Sequence, residues 1–207
     1  MRASSPSVRR ARAVESFRSA ADALGPLPPG DAVFCLTRGQ FSMIDAVLHT
    51  LDVLGPAHVS LWTWTIADYE VQAFTSMRSD ARIMSGRLII DSGARSKNAP
   101  LLSAWWSTFG PESIRYVLTH AKIARVWTPT RKVLLRGSMN LNHNPRFEQL
   151  DATCDGPDFD LVAQVEDELP VLPDDHAGRD AYAASRVAEA FAPEQLACFS
   201  RLRRWAK

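Results

Sequence analysis

Residues 120 to 151 decide the fold, and they read HAKIARVWTPTRKVLLRGSMNLNHNPRFEQLD. Two runs of this segment, one up to Val126 and one from Lys132 onward, are rich in aliphatic residues, and a short loop at positions 128 to 130 separates them. Such a pattern predicts a β-hairpin. We expect strands at Arg115–Val126, Lys132–Asn140 and Glu148–Cys154.

Polar side chains recur at intervals of two along the two hairpin strands. His120 and Lys122 are two residues apart, and so are Ser138 and Asn140. Because side chains alternate between the two faces of a strand, each pair should share a face. A three-residue hairpin loop would place His120 opposite Ser138 and Lys122 opposite Arg136, so that both strands present one polar, cationic patch.

This patch has the composition of a phosphate-binding site. Each unpaired buried polar group costs about 1 to 3 kcal/mol, so the four groups need a compensating partner. A phosphate suits them, since an ammonium neutralises its charge, hydroxyl and amide groups donate hydrogen bonds, and imidazole can attack or exchange a proton. A lone His-x-Lys pair more often belongs to a solvated strand face. The second element, Gly137 to Asn140 with Glu148 after it, favours phosphoryl transfer.

The arrangement of His-x-Lys, hairpin, Gly-Ser-x-Asn, a further Asn and then Glu resembles the signature of phospholipase D-like proteins, and it is similar to small phage- and prophage-type members that carry a single motif. The resemblance covers roughly residues 31 to 170. It implies that His120 is the nucleophile, that Lys122 and Asn140 bind phosphate, that Ser138 supports them as a donor, and that Glu148 orients a histidine.

The resemblance also implies a mechanism and a partner. One histidine attacks phosphorus to form a covalent phosphohistidine, while a second protonates the leaving oxygen and then activates water. Since this chain has one His-x-Lys, we expect a homodimer with a composite site, and we expect neither a metal nor a cofactor. One departure is Trp127, which stands where the family has Asp and puts the loop geometry in doubt.

Upstream of the hairpin, strands and helices alternate. We expect strands at 32–37, 58–66 and 86–91 and helices at 41–54, 68–82 and 99–109. This order predicts an α/β fold with a mixed, mostly parallel β-sheet flanked by helices. The predicted organisation is an N-terminal extension with a short helix (1–30), a phospholipase D-like domain (31–170) and a C-terminal helical extension (171–207).

Charge is distributed unevenly, although the formal net charge is only +1. Residues 113 to 147 hold seven basic residues and no Asp or Glu, whereas an acidic stretch follows at 155 to 180. A local basic field favours a polyanion, and we expect a nucleic acid, with DNA favoured over RNA. Besides Arg136, the expected substrate-binding residues are Arg125 and Asn142.

The same sequence argues for a cytoplasmic protein without a membrane partner. Three distant cysteines suggest no disulfide framework. Charges interrupt every candidate signal segment, and no apolar window reaches the roughly 18 residues of a membrane span.

Three functions therefore remain open. The leading hypothesis is a metal-independent, endonuclease-like phosphodiesterase. A phospholipid-directed phospholipase D-type enzyme would need an apolar docking face that the sequence does not display. A catalytically inactive nucleic-acid-binding or assembly protein of the same fold stays open because of Trp127.

Overall fold

A computed structural model describes residues 9–14, 16–94, 98–141 and 145–169 of the chain. Its strands are β1 (Arg9–Arg12), β2 (Ala32–Thr37), β3 (Ala57–Thr63), β4 (Ile83–Asp91), β5 (Ile114–Val117), β6 (Lys122–Trp127), β7 (Lys132–Gly137) and β8 (Glu148–Cys154). Its helices are α1 (Ala20–Leu24), α2 (Met43–Leu54), α3 (Asp68–Ser79), α4 (Ala99–Phe109) and α5 (Pro157–Glu168).

All eight strands form one mixed sheet in the order β1-β2-β8-β7-β6-β3-β4-β5. Pairing is parallel for β1 with β2, β3 with β4, and β4 with β5. It is antiparallel for β2 with β8, β8 with β7, β7 with β6, and β6 with β3. The α/β class is therefore confirmed, but the expectation of a mostly parallel sheet is wrong, because the hairpin and β8 lie inside the sheet and pair antiparallel with everything they touch.

One face of the sheet carries the core. On this face α2 contacts β6 and β7, and the helices α3 and α4 contact β4. Every second residue of β6 points to it, namely Lys122, Ala124 and Val126. Ala124 and Val126 are fully buried there. Helix α5 contacts β7 on the opposite face. We call these the core face and the α5 face.

The helices begin and end where local chemistry allows. The α2 N-terminus is a capping box, in which the Ser42 hydroxyl accepts from the Asp45 amide while the Asp45 carboxylate accepts from Ser42. Its C-terminus stops at Gly55, whose φ of 78° lies in the left-handed region. This cap also fixes the start of α2 beside the segment that follows β7, since the Met43 amide donates to the carbonyl of Asn140 over 3.4 Å.

Two details of the hairpin differ from the prediction. The loop has four residues, 128 to 131, closed by a Thr128 amide to Arg131 carbonyl bond of 2.9 Å, so the register places Lys122 opposite Gly137 and Ile123 opposite Arg136. One residue of slip moves a side chain to the other face, and Arg136 therefore lies on the α5 face rather than beside Lys122.

The predicted strand Arg115–Val126 is two strands. Residues 114–117 form β5 at the sheet edge, whereas β6 begins at Lys122 between β7 and β3. The chain between them, 118 to 121, is not a strand, so His120 precedes β6 instead of lying within it. The β7 strand likewise ends at Gly137, which leaves Ser138 and Asn140 in the connection that follows.

Part of the predicted N-terminal extension packs onto the domain. β1 pairs with β2, and Phe17, Leu24 and Leu27 are buried in the core. The predicted C-terminal extension (171–207) with its helices lies outside the described residues. No helix among the described residues is long and apolar enough to cross a membrane.

Candidate active site

The candidate site lies at one edge of the sheet, where β2, β3 and β7 end and β6 and β8 begin. We call this the site edge. It is the carboxyl end of the parallel pair β3 and β4, the position at which α/β sheets commonly bind ligands. The topology brings together the start of β6, the end of β7 and the start of β8, and these positions carry Lys122, Gly137 and Glu148.

His120 and Lys122 are in direct contact. The Lys122 Nζ is 2.9 Å from His120 Nδ1 and 3.4 Å from Nε2, and it also donates to the His120 carbonyl over 2.8 Å. The imidazole is exposed, whereas the lysine is only 6% exposed. The shorter of the two distances makes Nδ1 the ring atom that faces the ammonium.

Burial lowers the pKa of Lys122, and the negative charge of Glu148 opposes that shift. A buried ammonium loses hydration, so the carboxylate is the nearby group that favours its charged form. Glu148 follows the same alternation on β8 as Leu150, which lies opposite Gly137 on the core face. Lysine and glutamate therefore share the core face at the site edge.

Ser138 joins this cluster through Glu148. Its hydroxyl donates to the Glu148 carboxylate and accepts from the Gln149 amide over 3.0 Å, while its own amide donates to the Gln149 carbonyl over 3.1 Å. The hydroxyl is thus held by both backbone and side chain of β8. The structure brings four of the predicted site residues together at the site edge: His120, Lys122, Ser138 and Glu148.

Gly137 makes this close approach of β7 and β8 possible. A Cβ atom at that position would lie 2.0 Å from the carbonyl oxygen of Gln149. Such a contact is far inside van der Waals distance, so any larger residue would force the strands apart. The glycine of the Gly-Ser-x-Asn element is explained by backbone packing.

Asn140 is held by its backbone and leaves its side-chain oxygen buried. Its carbonyl accepts from Met43, but Oδ1 is buried and finds no hydrogen-bond partner among the described residues. An unpartnered buried acceptor is costly, and it calls for a donor that a bound molecule could bring. The predicted role in phosphate binding stays a prediction.

The two arginines predicted to bind substrate lie on the α5 face. Arg136 is part-exposed, forms an ion pair with Asp158, and approaches Asp151 to 3.6 Å. It lines an open cleft of about 440 Å³ that Lys122 borders from the site edge. The structure therefore places Arg136 close to the cluster but on the other side of the sheet.

Arg125 is not brought to the site. It is buried on the α5 face, paired with Glu166 and lying 4.7 Å from the Trp127 ring centre and 4.4 Å from that of Phe159. Burial lowers its pKa, and the charge of Glu166 opposes that shift. These contacts show that Arg125 has a structural role, because its ion pair and ring contacts attach α5 to the sheet.

Trp127, which stands where the phospholipase D-like pattern has Asp, lies at the end of β6 remote from Lys122. Five residues separate them, or about 17 Å of strand. Its ring stacks on His58 at 5.3 Å and meets Phe159 edge-on at 6.0 Å. The contacts of Trp127 are therefore packing contacts on the α5 face, at the end of the hairpin far from Lys122.

Sequence reasoning missed Asp91, the last residue of β4. Its carboxylate accepts from the Thr119 amide and from the Gly93 amide, each over 2.9 Å. The first bond anchors the chain just before His120, and Ser92 adds a bond to the Val117 carbonyl of 3.1 Å. The available signal was a carboxylate at the end of a buried parallel strand.

One predicted substrate-binding residue, Asn142, lies outside the described residues, as does His143. Among the described histidines, His49 bonds to the Gly25 carbonyl over 2.7 Å and His58 to Ser85 over 2.7 Å, both away from the site edge. Within the described ranges, no three His, Cys, Asp or Glu side chains cluster as metal ligands.

Comparisons with known proteins give no family. No protein-family model matches the chain, and no curated protein matches it. Among solved structures the chain is similar to TrmBL2, an archaeal chromatin protein whose structure shows a novel mode of DNA binding, with 10% identity over 65% of this chain and a TM-score of 0.40. The chain spans about half of that protein, 51% of its length. Likeness at this TM-score carries no argument about fold or function.

Proposed function

We propose that the chain is a metal-independent phosphodiesterase that cleaves nucleic acid through a phosphohistidine, in the manner of phospholipase D-like enzymes. The observation that carries the proposal is the contact between His120 and a buried Lys122, beside Ser138 and Glu148, at the site edge. A nucleophile beside a charge that can neutralise phosphate is the minimum such chemistry needs.

The proposed reaction has two displacements at phosphorus. A nitrogen of His120 attacks, a P–N bond forms, and the P–O bond to the leaving alcohol breaks as a second histidine supplies its proton. That histidine then takes a proton from water, whose oxygen attacks phosphorus and releases His120. The products are a phosphomonoester and an alcohol.

Lys122 has to turn from the imidazole to the phosphate for this to happen. In the structure its ammonium lies 2.9 Å from His120 Nδ1, at hydrogen-bond distance. A phosphate oxygen in the same place would accept that bond instead, which frees the ring nitrogen. Ser138 and Asn140 lie in the connection that follows β7. There the buried Asn140 oxygen would accept a hydrogen bond from the attacking water.

The second histidine is proposed to come from a second copy of the chain. His49 and His58 are engaged elsewhere in the fold, and both lie away from the site edge. A symmetric dimer that joins two site edges would bring two copies of His120 together. The proposed substrate is nucleic acid, with DNA favoured over RNA as expected from the sequence, and the Lys122 ammonium at the site edge would meet a backbone phosphate. Three of the basic residues between 113 and 147 are each paired with a carboxylate of α5 and so are not counted toward this binding: Arg125, Lys132 and Arg136.

The test is a cleavage assay in EDTA. Wild type, His120→Ala and the control His58→Gln are incubated with labelled single-stranded DNA, duplex DNA, RNA and phosphatidylcholine. We expect wild type and His58→Gln to cleave a nucleic acid and His120→Ala to lose at least about 10³-fold in rate, as for removal of a catalytic nucleophile. Cleavage of phosphatidylcholine alone, reversible loss of activity with EDTA, or no cleavage of any substrate would contradict the proposal.

A further inference from the structure

Two large aromatic rings are exposed on either side of the proposed catalytic cluster. Trp64, just after β3, is 50% exposed, and its ring centre lies 5.8 Å from that of His120 with 41° between the planes. Phe147, just before Glu148, is 61% exposed. The guanidinium of the exposed Arg38 lies 5.5 Å from the Phe147 ring centre.

The neighbouring Trp62 has a different environment from these two rings. Trp62 is half-buried and donates its indole N–H to Glu166 over 2.8 Å, so it serves to attach α5. Trp64 is placed instead with much of its surface in solvent, against the proposed nucleophile. An exposed ring presents a π-face that a second planar group can stack upon.

The strand order sets the distance between the two rings. β3, β6, β7 and β8 are neighbours in the sheet, so the ends that carry Trp64 and Phe147 are three strand spacings apart, or about 14 Å. At about 3.4 Å for each nucleotide of one stacked strand, this span accommodates roughly four nucleotides. The starts of β6 and β8 place Lys122 and Glu148 within the span.

We propose that Trp64 and Phe147 are base-stacking positions and that the site takes a single-stranded nucleic acid, threaded along the site edge with its phosphates toward Lys122 and Arg38. This rests on the proposed function for the reaction that follows binding. Stacking platforms combined with basic groups are how proteins hold single strands without reading sequence. The bases of a duplex are already stacked on one another, so neither ring could reach them.

Binding, rather than cleavage, tests this inference. In EDTA and in a His120→Ala background, the affinity for a labelled 20-nucleotide DNA strand is measured by fluorescence anisotropy, and the matching duplex is measured in parallel. The variants are Trp64→Ala and Phe147→Ala, with Trp64→Phe and Phe147→Tyr as conservative replacements. Met84→Ala is the matched control, because Met84 is also 50% exposed but lies near the opposite end of β4.

We expect single-strand affinity to fall about 5- to 100-fold for each alanine variant, with little change for the conservative variants and Met84→Ala. The background should bind the duplex more weakly than the strand, and the alanine changes should leave duplex binding unaltered. Thermal unfolding midpoints equal to that of the background would show that the alanine variants are folded.

Three results would overturn the inference. These are equal affinity of all variants for the single strand, a preference for duplex, and alanine variants that break a dimer in sedimentation while binding the strand normally, since the rings would then contact a second copy. The proposed function fails separately. If binding depends on the two rings but wild type cleaves nothing, the base-stacking inference stands and the proposed nuclease activity is refuted. If wild type cleaves nucleic acid but neither binding nor cleavage depends on the rings, the proposed function stands and the base-stacking inference is refuted.

Discussion

Glu166 should be one of the most sensitive positions in the described fold, although it takes no part in the proposed chemistry. It is 0% exposed, and its carboxylate accepts from the indole of Trp62 over 2.8 Å and pairs with the buried Arg125. Arg87 approaches it to only 3.4 Å and has a second partner in Asp167 at 2.9 Å. Removal of the carboxylate therefore leaves the buried Arg125 guanidinium without its ion-pair partner.

The expected loss of stability on substitution of Glu166 follows from these contacts. A buried ion left without its partner costs about 3 to 5 kcal/mol, so Glu166→Ala should lower the free energy of unfolding by that amount. Replacement of both ions by leucine removes the stranded charge, so Arg125→Leu/Glu166→Leu should recover at least half of the loss. The exposed pair Arg82 and Asp52 is the matched control, and Asp52→Ala should cost at most about 1 kcal/mol.

Urea unfolding followed by tryptophan fluorescence measures these differences through the denaturation midpoint at constant slope. The reasoning is refuted if Glu166→Ala costs less than about 1 kcal/mol, or if the double variant is as unstable as the sum of the two single leucine variants. The same double variant, once folded, should keep its affinity for nucleic acid. A selective loss of that affinity would restore the sequence-based role of Arg125 in substrate binding.

Three further outcomes are expected. Gly137→Ala should lower the free energy of unfolding, measured by urea titration, by about 1 to 3 kcal/mol or more, because the added Cβ would meet the Gln149 carbonyl. An unchanged free energy of unfolding would mean that β7 and β8 are not so close. Asp91→Ala should lower kcat for cleavage with little change in KM. Asp91→Asn should retain more activity, because its side-chain oxygen can still accept from the Thr119 amide. An equal loss of activity in both variants would contradict a positioning role for Asp91. Burial raises the pKa of Cys35 to about 11 and that of Cys154 to about 12. In a Cys198→Ser chain neither thiol should therefore react with a disulfide reagent at pH 8, and fast labelling of the native chain would contradict their burial. Because both pKa values exceed the ordinary 9.0, the free energy of unfolding should fall as pH rises above about 9.

Sequence reasoning went furthest where the signal was local. The strand Glu148–Cys154 and the helix Ala99–Phe109 occur with the predicted bounds, because each is a periodic run closed by a clear terminator. The proximity of Lys122, Ser138 and Glu148 was also predictable, since a hairpin and its next neighbour place those positions at one edge.

The misses came from information that is not local. Residues 115 to 126 form a continuous strand-like run, and only pairing with β4 on one side and β3 on the other divides it at 118–121. One extra residue in the hairpin loop moved Arg136 to the α5 face. Arg125 looked free because its partner Glu166 is 41 residues away in sequence.

The covalent intermediate tests the central claim most directly. An internally phosphorus-labelled DNA strand is mixed with the protein in EDTA, quenched in alkaline detergent, and the labelled peptide is identified by mass spectrometry. We predict label on His120, at no more than about one per two chains because the composite site has one nucleophile in use at a time, and none in His120→Ala. Cleavage that proceeds without label on His120, or labelling unchanged in His120→Ala, would contradict the account.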